Sequence, residues 1–332
     1  MSDAPGGIVC AGNWIVDLVH DVERWPRESD LVRIGHQLSG IGGGAANVVT
    51  DLRHMGVHFP LIPVGKVGMD RFGDMALAHC EAVGLDTAFM VRVRETPTAH
   101  THVMNVAGRS RTFFYQGGTN DTLCSDDIPI AALAATGARL FYLGYLLLLA
   151  ELDAIQSNGN SNAASVLQAA RDAGMQTCVD LVSTDAPDFA AVVMATLPAI
   201  DYLFVNEVEA ARACGLQAFT DGKWGQGQAD TCARRLLDQG VQCAVIVHAA
   251  NGALWLGQDG TRVWADALPV PVERIVSPVG AGDAFCAGAL YAIHERGSPA
   301  EALSLAHRVA AASLTGRTAT DGIPLLSTLR SS

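Results

Sequence analysis

The chain has 332 residues, of which 49% are hydrophobic and 17% charged, and its formal net charge at pH 7 is −12. This length buries a full core, as one large α/β domain or two smaller ones, and the composition excludes general disorder. The acidic balance argues against nucleic acid or an anionic membrane surface as the main partner, so an anionic ligand would be held by local backbone dipoles.

Lysine occurs only as Lys66 and Lys223, which leaves no G-x-x-x-x-G-K-[ST] phosphate loop. The eight cysteines (10, 80, 124, 178, 214, 232, 243 and 286) are dispersed, form no C-x-x-C and mostly lie in apolar runs. That usage points to buried reduced thiols rather than disulfides or a zinc site. The start MSDAPGGIVCAG has no basic region followed by an apolar core, and the most apolar run, 141–150, is too short to span a bilayer. A soluble, cytoplasmic protein is expected.

In chain order, residues 8–12 read as a buried first strand, with Asn13 and Asp17 just beyond its C-terminal end. Ligand-binding residues of open α/β sheets sit at such ends, although an aspartate there also suits a loop that bonds nearby backbone. Residues 31–38 alternate as a half-exposed strand does. Gly40-Ile41-Gly42-Gly43-Gly44-Ala45-Ala46-Asn47 then opens a helix running to about Met55 and ending at Gly56. Its glycines permit close approach of backbone to a ligand, and Asn47 offers both a donor and an acceptor. Gly40-x-Gly42-x-x-Ala45 also fits the loose dinucleotide fingerprint.

Residues 61–65 precede a turn at 66–73 into another helix that ends near Gly84. Residues 98–106 and 111–115 read as a hairpin around Ala107-Gly108-Arg109-Ser110, which joins 31–38 in a small sheet outside the main one. A flexible polar joint is expected at 117–121. From Leu140 onward strands (140–143, 176–180, 202–205, 244–247) alternate with helices (161–173, 189–196, 207–214, 231–239, 284–294, 299–314). Alternation of this kind indicates a parallel sheet with helices on both faces, undivided by any linker. Residues 217–228 read as a mobile loop.

Three stretches carry chemistry. Asn206 and Glu209 stand three apart at a helix start, on one face, in the spacing of a capping box. The strand 244–247 runs through His248 into a turn at Asn251 and Gly252, which either flanks a nucleotide or joins two strands. In Ser277-Pro278-Val279-Gly280-Ala281-Gly282-Asp283-Ala284, a glycine turn feeds a helix of small and apolar residues. The unpaired N–H groups at such a helix start bind anions, and Asp283 sits at the same positive end. Alone, Asp283 reads better as a helix cap with glycines for tight packing.

Together these residues resemble the PfkB, or ribokinase-like, family of carbohydrate and nucleoside kinases, over nearly the whole chain. The resemblance rests on Gly42-Gly43 to Asn47, Asn206-x-x-Glu209 and Gly280-Ala281-Gly282-Asp283, in family order, with Gly65-x-Val67-Gly68-x-Asp70-x-x-Gly73 as a further match. It implies one α/β kinase domain over 1–332: a three-layer fold whose mainly parallel central sheet lies between helices, with a small β-sheet lid from about 14–40 and 96–118. Asp283 would be the catalytic base, and the backbone of Gly280, Ala281, Gly282 and Asp283 the anion hole. Asp17, Gly43 and Asn47 would hold the hydroxyls of a small sugar or nucleoside, and His248, Asn251 and Gly252 would flank ATP. Asn206 and Glu209 would belong to the magnesium side, acting through water, and a homodimer through the lid fits the family pattern.

Ser277 and Pro278 stand where the family usually has Asp and Thr, Ala250 replaces a frequent glycine, and Thr318 replaces another. Members often hold a monovalent cation near the Ser277 and Thr318 regions, so a K+ site stays open. Two other readings stand beside the kinase: an NAD(P)-dependent oxidoreductase, resting on the Gly40 fingerprint, and a non-catalytic sugar- or nucleoside-binding protein on a kinase fold.

Overall fold

The structure, a computed structural model, describes residues 6–106, 111–216 and 224–331. Its strands are β1 (Ile8–Gly12), β2 (Ile15–Val22), β3 (Ile34–Gly42), β4 (Leu61–Gly68), β5 (Met90–Val93), β6 (His100–Val106) and β7 (Thr112–Gln116). They continue with β8 (Leu140–Leu146), β9 (Gln176–Leu181), β10 (Tyr202–Asn206), β11 (Ala244–Ala249), β12 (Gly252–Gly257) and β13 (Arg262–Asp266).

The large sheet has the order β13-β12-β11-β10-β9-β8-β1-β4-β5. Every pairing from β11 to β5 is parallel, and β12 and β13 add an antiparallel edge. Because β1 is buried on both faces, its sequence Ile8-Val9-Cys10-Ala11 is apolar throughout rather than alternating. One apolar layer packs Val9, Phe141, Val179 and Leu203 against Leu167, Val193 and Leu236 of helices Asn162–Asp172, Phe189–Thr196 and Gln226–Asp238. The other packs Ile8, Tyr142, Phe204 and Ile246 with Val48, Leu290 and Val309 of helices Gly44–His54, Ala281–His294 and Pro299–Ser313. This is the α/β architecture expected from the alternation of strands and helices.

A second sheet has the order β3-β2-β6-β7, with β2 parallel to β6 and the other two pairings antiparallel. Its strands fall in the two segments expected to make a lid, with two differences. The strand expected at 31–38 runs instead over Ile34–Gly42, because Gly40 to Gly42 complete its ladder with Asp17 to Ile15. The strand β2 was not read from sequence at all, although Val16, Leu18, His20 and Val22 alternate as buried residues with half-buried Asp17, Val19 and Asp21.

The pairing of Gly40 and Gly42 also removes the dinucleotide fingerprint. That motif needs a parallel strand of the main sheet before its glycines, and here they end an antiparallel strand of the smaller one. The joint expected to be flexible at 117–121 is a packed turn: Thr119 and Asn120 are fully buried, and the Asn120 side chain accepts from Trp14 N and donates to the Tyr115 hydroxyl. The helix Gln226–Asp238 begins inside the stretch expected to be a mobile loop. Residues 217–223 of that stretch, and the hairpin turn 107–110, lie outside the described residues. All eight cysteines are free thiols, six of them buried, with Cys124 and Cys243 partly exposed. Among the described residues no helix is long and apolar enough to cross a membrane.

At the N-terminal edge of the large sheet, Asp201 ties β9 to β10. Its Oδ2 accepts from the Thr177 backbone N–H at 2.8 Å and from the Thr177 hydroxyl at 3.2 Å, and Arg171 lies 3.2 Å from Oδ1. Asp201→Ala strands a buried donor and should cost about 1–3 kcal/mol, read by urea denaturation. Binding at the opposite edge of the sheet should not change.

Candidate functional site

The C-terminal ends of the parallel strands deliver Asn13 after β1, Tyr145 in β8, Asp180 in β9, Asn206 in β10 and His248 in β11. Facing them is the first turn of the helix Ala281–His294. Gly280 enters that helix in the left-handed region at φ 84°, and a Cβ on it would lie 2.2 Å from the Ala319 carbonyl oxygen. Only glycine fits both demands. No side chain caps the helix; Ala281 N reaches Pro278 O at 3.3 Å, and the N–H groups of Gly282 and Asp283 meet no capping side chain. Together with the helix dipole they form a positive end suited to an anion.

Asp283 is buried in this turn, 5% exposed. The Tyr145 hydroxyl donates to its Oδ1 at 2.7 Å and lies 2.8 Å from Oδ2, while Asn47 Nδ2 donates to Oδ2 at 2.9 Å. Burial pushes the Asp283 carboxyl up to about 6; the Tyr145 and Asn47 donors pull it down, and desolvation wins. Asn47 is placed by its helix, whose N-cap Gly43 has φ 97° and no room for a Cβ, which would meet the Asn13 carbonyl oxygen at 2.6 Å. Asp17 comes from the smaller sheet and lies close to the backbone of Gly42, where a Cβ would fall 2.3 Å from its Oδ2. Burial raises Asp17 to about 6, a bond from Thr101 opposes this, the charge of Asp283 adds to it, and Arg111 lowers it. The structure therefore brings Asp17, Gly43, Asn47 and the 280–283 turn to one place.

Asn206 and Glu209 form a complete capping box. Asn206 Oδ1 accepts from the N–H groups of Val208 and Glu209, each at 2.9 Å, and Glu209 Oε2 accepts from Asn206 N at 2.9 Å. The remaining oxygen, Oε1, accepts from Asn206 Nδ2 at 2.7 Å and from the Ser183 hydroxyl at 2.8 Å. Behind them Asp180 is held well above the usual carboxylate range by burial, with the charges of Glu209 and Asp283 adding to it. Among the described residues no group of three or more His, Cys, Asp or Glu side chains is arranged to hold a metal ion. Both Glu209 oxygens accept hydrogen bonds from protein donors, so any cation here would be reached only through water.

Beside the first turn lies a cleft of about 530 Å³ with an apolar wall of Leu268, Ile275, Phe285, Ala310 and Leu314. His248 and Asn251 border it, and His248 stacks on Phe285 with centroids 5.0 Å apart. Burial, aided by His307, pulls His248 down to about 4, so its ring is neutral at pH 7. Asn251 Nδ2 donates to Trp224 O at 2.8 Å. Gly252 does not border this cleft; it is buried in β12, paired with Ala249 and Asp266. The cleft reaches the uncapped turn, with Pro278, Ala281 and Gly282 in its lining.

Sequence reasoning missed Tyr145 and Asp180 as site residues and placed Asn13 at a strand end without giving it a role. Tyr145 was hidden in the apolar run 141–150, although a hydroxyl near the C-terminal end of a buried strand was a signal. Asp180, an acid ending a buried strand, was visible by the same logic that selected Asp17.

The sequence profile of the pfkB family of carbohydrate kinases matches residues 6–326. The chain belongs to this family. Among curated relatives, a deoxyribokinase of Salmonella typhi is 24% identical over 312 residues, covering 93% of each chain. A ribokinase of Arabidopsis thaliana is 27% identical over 317 residues, 92% of this chain and 75% of that one. Among solved structures, Arabidopsis thaliana ribokinase complexed with ribose and ATP superposes with a TM-score of 0.80 at 22% identity, covering 99% of this chain and 98% of that one. A nucleoside kinase of Methanocaldococcus jannaschii gives 0.72 at 16% identity, over 99% and 98%. At these identities the structural likeness speaks for the ribokinase-like fold.

Gly280→Ala tests the turn. An L residue in the left-handed region costs about 1–2 kcal/mol before any clash with Ala319 is counted. Denaturation should show at least that loss, and calorimetry with a non-hydrolysable ATP analogue should show weaker binding. Unchanged affinity would mean the turn does not hold the phosphates.

Proposed function

We propose that this PfkB-family carbohydrate kinase transfers the γ-phosphoryl group of ATP to a hydroxyl of a small sugar, with Asp283 as the base. The observation that carries this reading is a buried carboxylate and uncapped N–H groups in the same helix turn, between Asp17 on one side and an apolar cleft on the other.

Phosphoryl transfer asks the protein for positioning and charge stabilisation rather than covalent chemistry. In this reading Asp17 and Asn47 hold the sugar hydroxyls, and the bare backbone at Gly43 lets the sugar approach. Asp283 accepts the hydroxyl proton as the oxygen attacks phosphorus, late in the step, so position matters more than basicity. The N–H groups of Gly282 and Asp283, aided by the helix dipole, stabilise charge on the phosphoryl oxygens. His248 and Asn251 flank the nucleotide. Magnesium, held through water by Asn206 and Glu209 with Asp180 behind them, would neutralise phosphate charge. The relatives named ribokinase and deoxyribokinase put pentoses first in the search for the acceptor.

An ADP-release screen over ribose, deoxyribose, fructose, fructose 1-phosphate, a keto-deoxy sugar acid and a nucleoside tests the reading. Sugar binding without any ATP turnover would favour the non-catalytic alternative. With the best acceptor, Asp283→Asn should lower kcat at least ~10²-fold, the lower end for a positioned general base, with ligand binding little changed. Asp17→Ala should raise KM for sugar and leave the affinity for ATP nearly unchanged. Glu209→Gln should stay folded but need more magnesium for half-maximal rate; a lower Tm with an unchanged magnesium curve would reduce Glu209 to its capping role.

The pH profile follows from two carboxyls, Asp17 and Asp283, each raised to about 6. Both act as anions, so protonation removes activity: kcat/KM should be level above that pH and fall as pH drops through about 6. The limb should steepen toward two protons in the wild type and show one in Asp17→Ala.

A further inference from the structure

We propose that Tyr145 is a positioning residue for the base: with Asn47 it locks the Asp283 carboxylate in one orientation and leaves Oδ1 to take the substrate proton. The inference rests on reading Asp283 as the base. It begins from how firmly Tyr145 is held. Its backbone N–H donates to Asn13 Oδ1, and Asn13 Nδ2 donates to Leu148 O at 2.9 Å, so one fully buried side chain ties Tyr145 to the segment just after β8. The ring lies against Gly44, where a Cβ would meet Tyr145 Cδ1 at 3.0 Å. Fixed from two sides, the hydroxyl straddles the carboxylate at 2.7 Å and 2.8 Å from its oxygens.

A count of donors then separates the two oxygens. Asn47 already donates to Oδ2, and the single Tyr145 proton is shared between Oδ2 and Oδ1. An incoming substrate hydroxyl finds spare acceptor capacity on Oδ1, and the Tyr145 proton settles on Oδ2. In the transfer the substrate O–H bond breaks, an Oδ1–H bond forms, and the freed electron pair attacks the γ-phosphorus of ATP. The electrons of the broken P–O bond leave with ADP, and Asp283 later releases its proton to solvent. Burial holds the Tyr145 phenol well above its usual range, so it remains a donor throughout.

The surroundings show why a donor is needed. Around Asp283 stand Asp17 from β2, Asp51 from the helix Gly44–His54, Asp180 from β9, Tyr142 from β8 and Cys286 from its own helix. Asp51 is fully buried with neither oxygen hydrogen-bonded. Each of these groups, when ionised, opposes a negative charge on Asp283, whereas Tyr145 and Asn47 favour it.

The test is Tyr145→Phe, which removes the hydroxyl and keeps the ring. Titration of the free protein by carboxyl-¹³C NMR, with Asp283 identified as the resonance absent from Asp283→Asn, should place the Asp283 midpoint about 1–2 pH units above wild type. The acid limb of kcat/KM, measured with the acceptor turned over fastest in the screen, should move up by the same amount. A midpoint at or below the wild-type value overturns the proposal, even if the variant is less stable. Should Tyr145→Phe fail to fold, a fluorinated tyrosine at position 145, a stronger donor, must move the midpoint down; an unmoved midpoint is again fatal. Near-normal turnover by Asp283→Asn would instead overturn the assignment of the base itself, while the NMR midpoint would still report on the Tyr145 contact.

Discussion

A carboxylate buried at the start of a helix imposes conditions on everything around it. Desolvation disfavours its charge, so Asp283 stays ionised near neutral pH only if donors reach it, and those donors come from outside its own helix. Asn47 arrives from the helix Gly44–His54 and Tyr145 from β8. The helix carrying Asp283 is buried from Asp283 to His294, so it cannot shift to meet them. The order of the large sheet, with β8 beside β1, is therefore a condition of the site as much as of the core.

The same turn serves a second purpose because it is not capped. A serine or threonine at the position of Gly280 would satisfy the first N–H groups and close the anion site, and the carbonyl of Ala319 leaves no space for one. Stability given up at the helix end is what leaves donors for a ligand. The helix after β10 shows the opposite solution: the Asn206 side chain caps its first N–H groups, and Glu209 Oε2 returns the bond to Asn206 N.

The smaller sheet brings a second carboxylate to the first. Asp17 and Asp283 each feel burial, and Asp283 adds its charge to the cost at Asp17. In the proposed reading, a ligand that donates hydroxyl protons to both carboxylates would offset that cost. A ligand without donors at those two points would leave the cost in place, and the site would select against it.

The chain's own pattern determined a good deal. Apolar runs that do not alternate marked β1, β8 and β11 as strands buried on both faces, and glycines followed by small apolar residues marked the two helices that the structure starts at Gly44 and Ala281. Local chemistry also singled out Asp17, Asn47, Asn206, Glu209 and Asp283, since a strand end, a capping spacing and a glycine turn are each written in a few consecutive residues. What the sequence could not decide was partnership across distance. Gly40 to Gly42 look like a loop until β2 lies beside them, and residues 117–121 look flexible until Asn120 meets Trp14 and Tyr115. Gly252 looks like part of a nucleotide turn until β13 pairs with it. Tyr145 reads as one more apolar strand residue until the fold sets its hydroxyl against a carboxylate 138 positions away. Hydrogen bonds of that span depend on the packing of several elements at once, and no local periodicity records them.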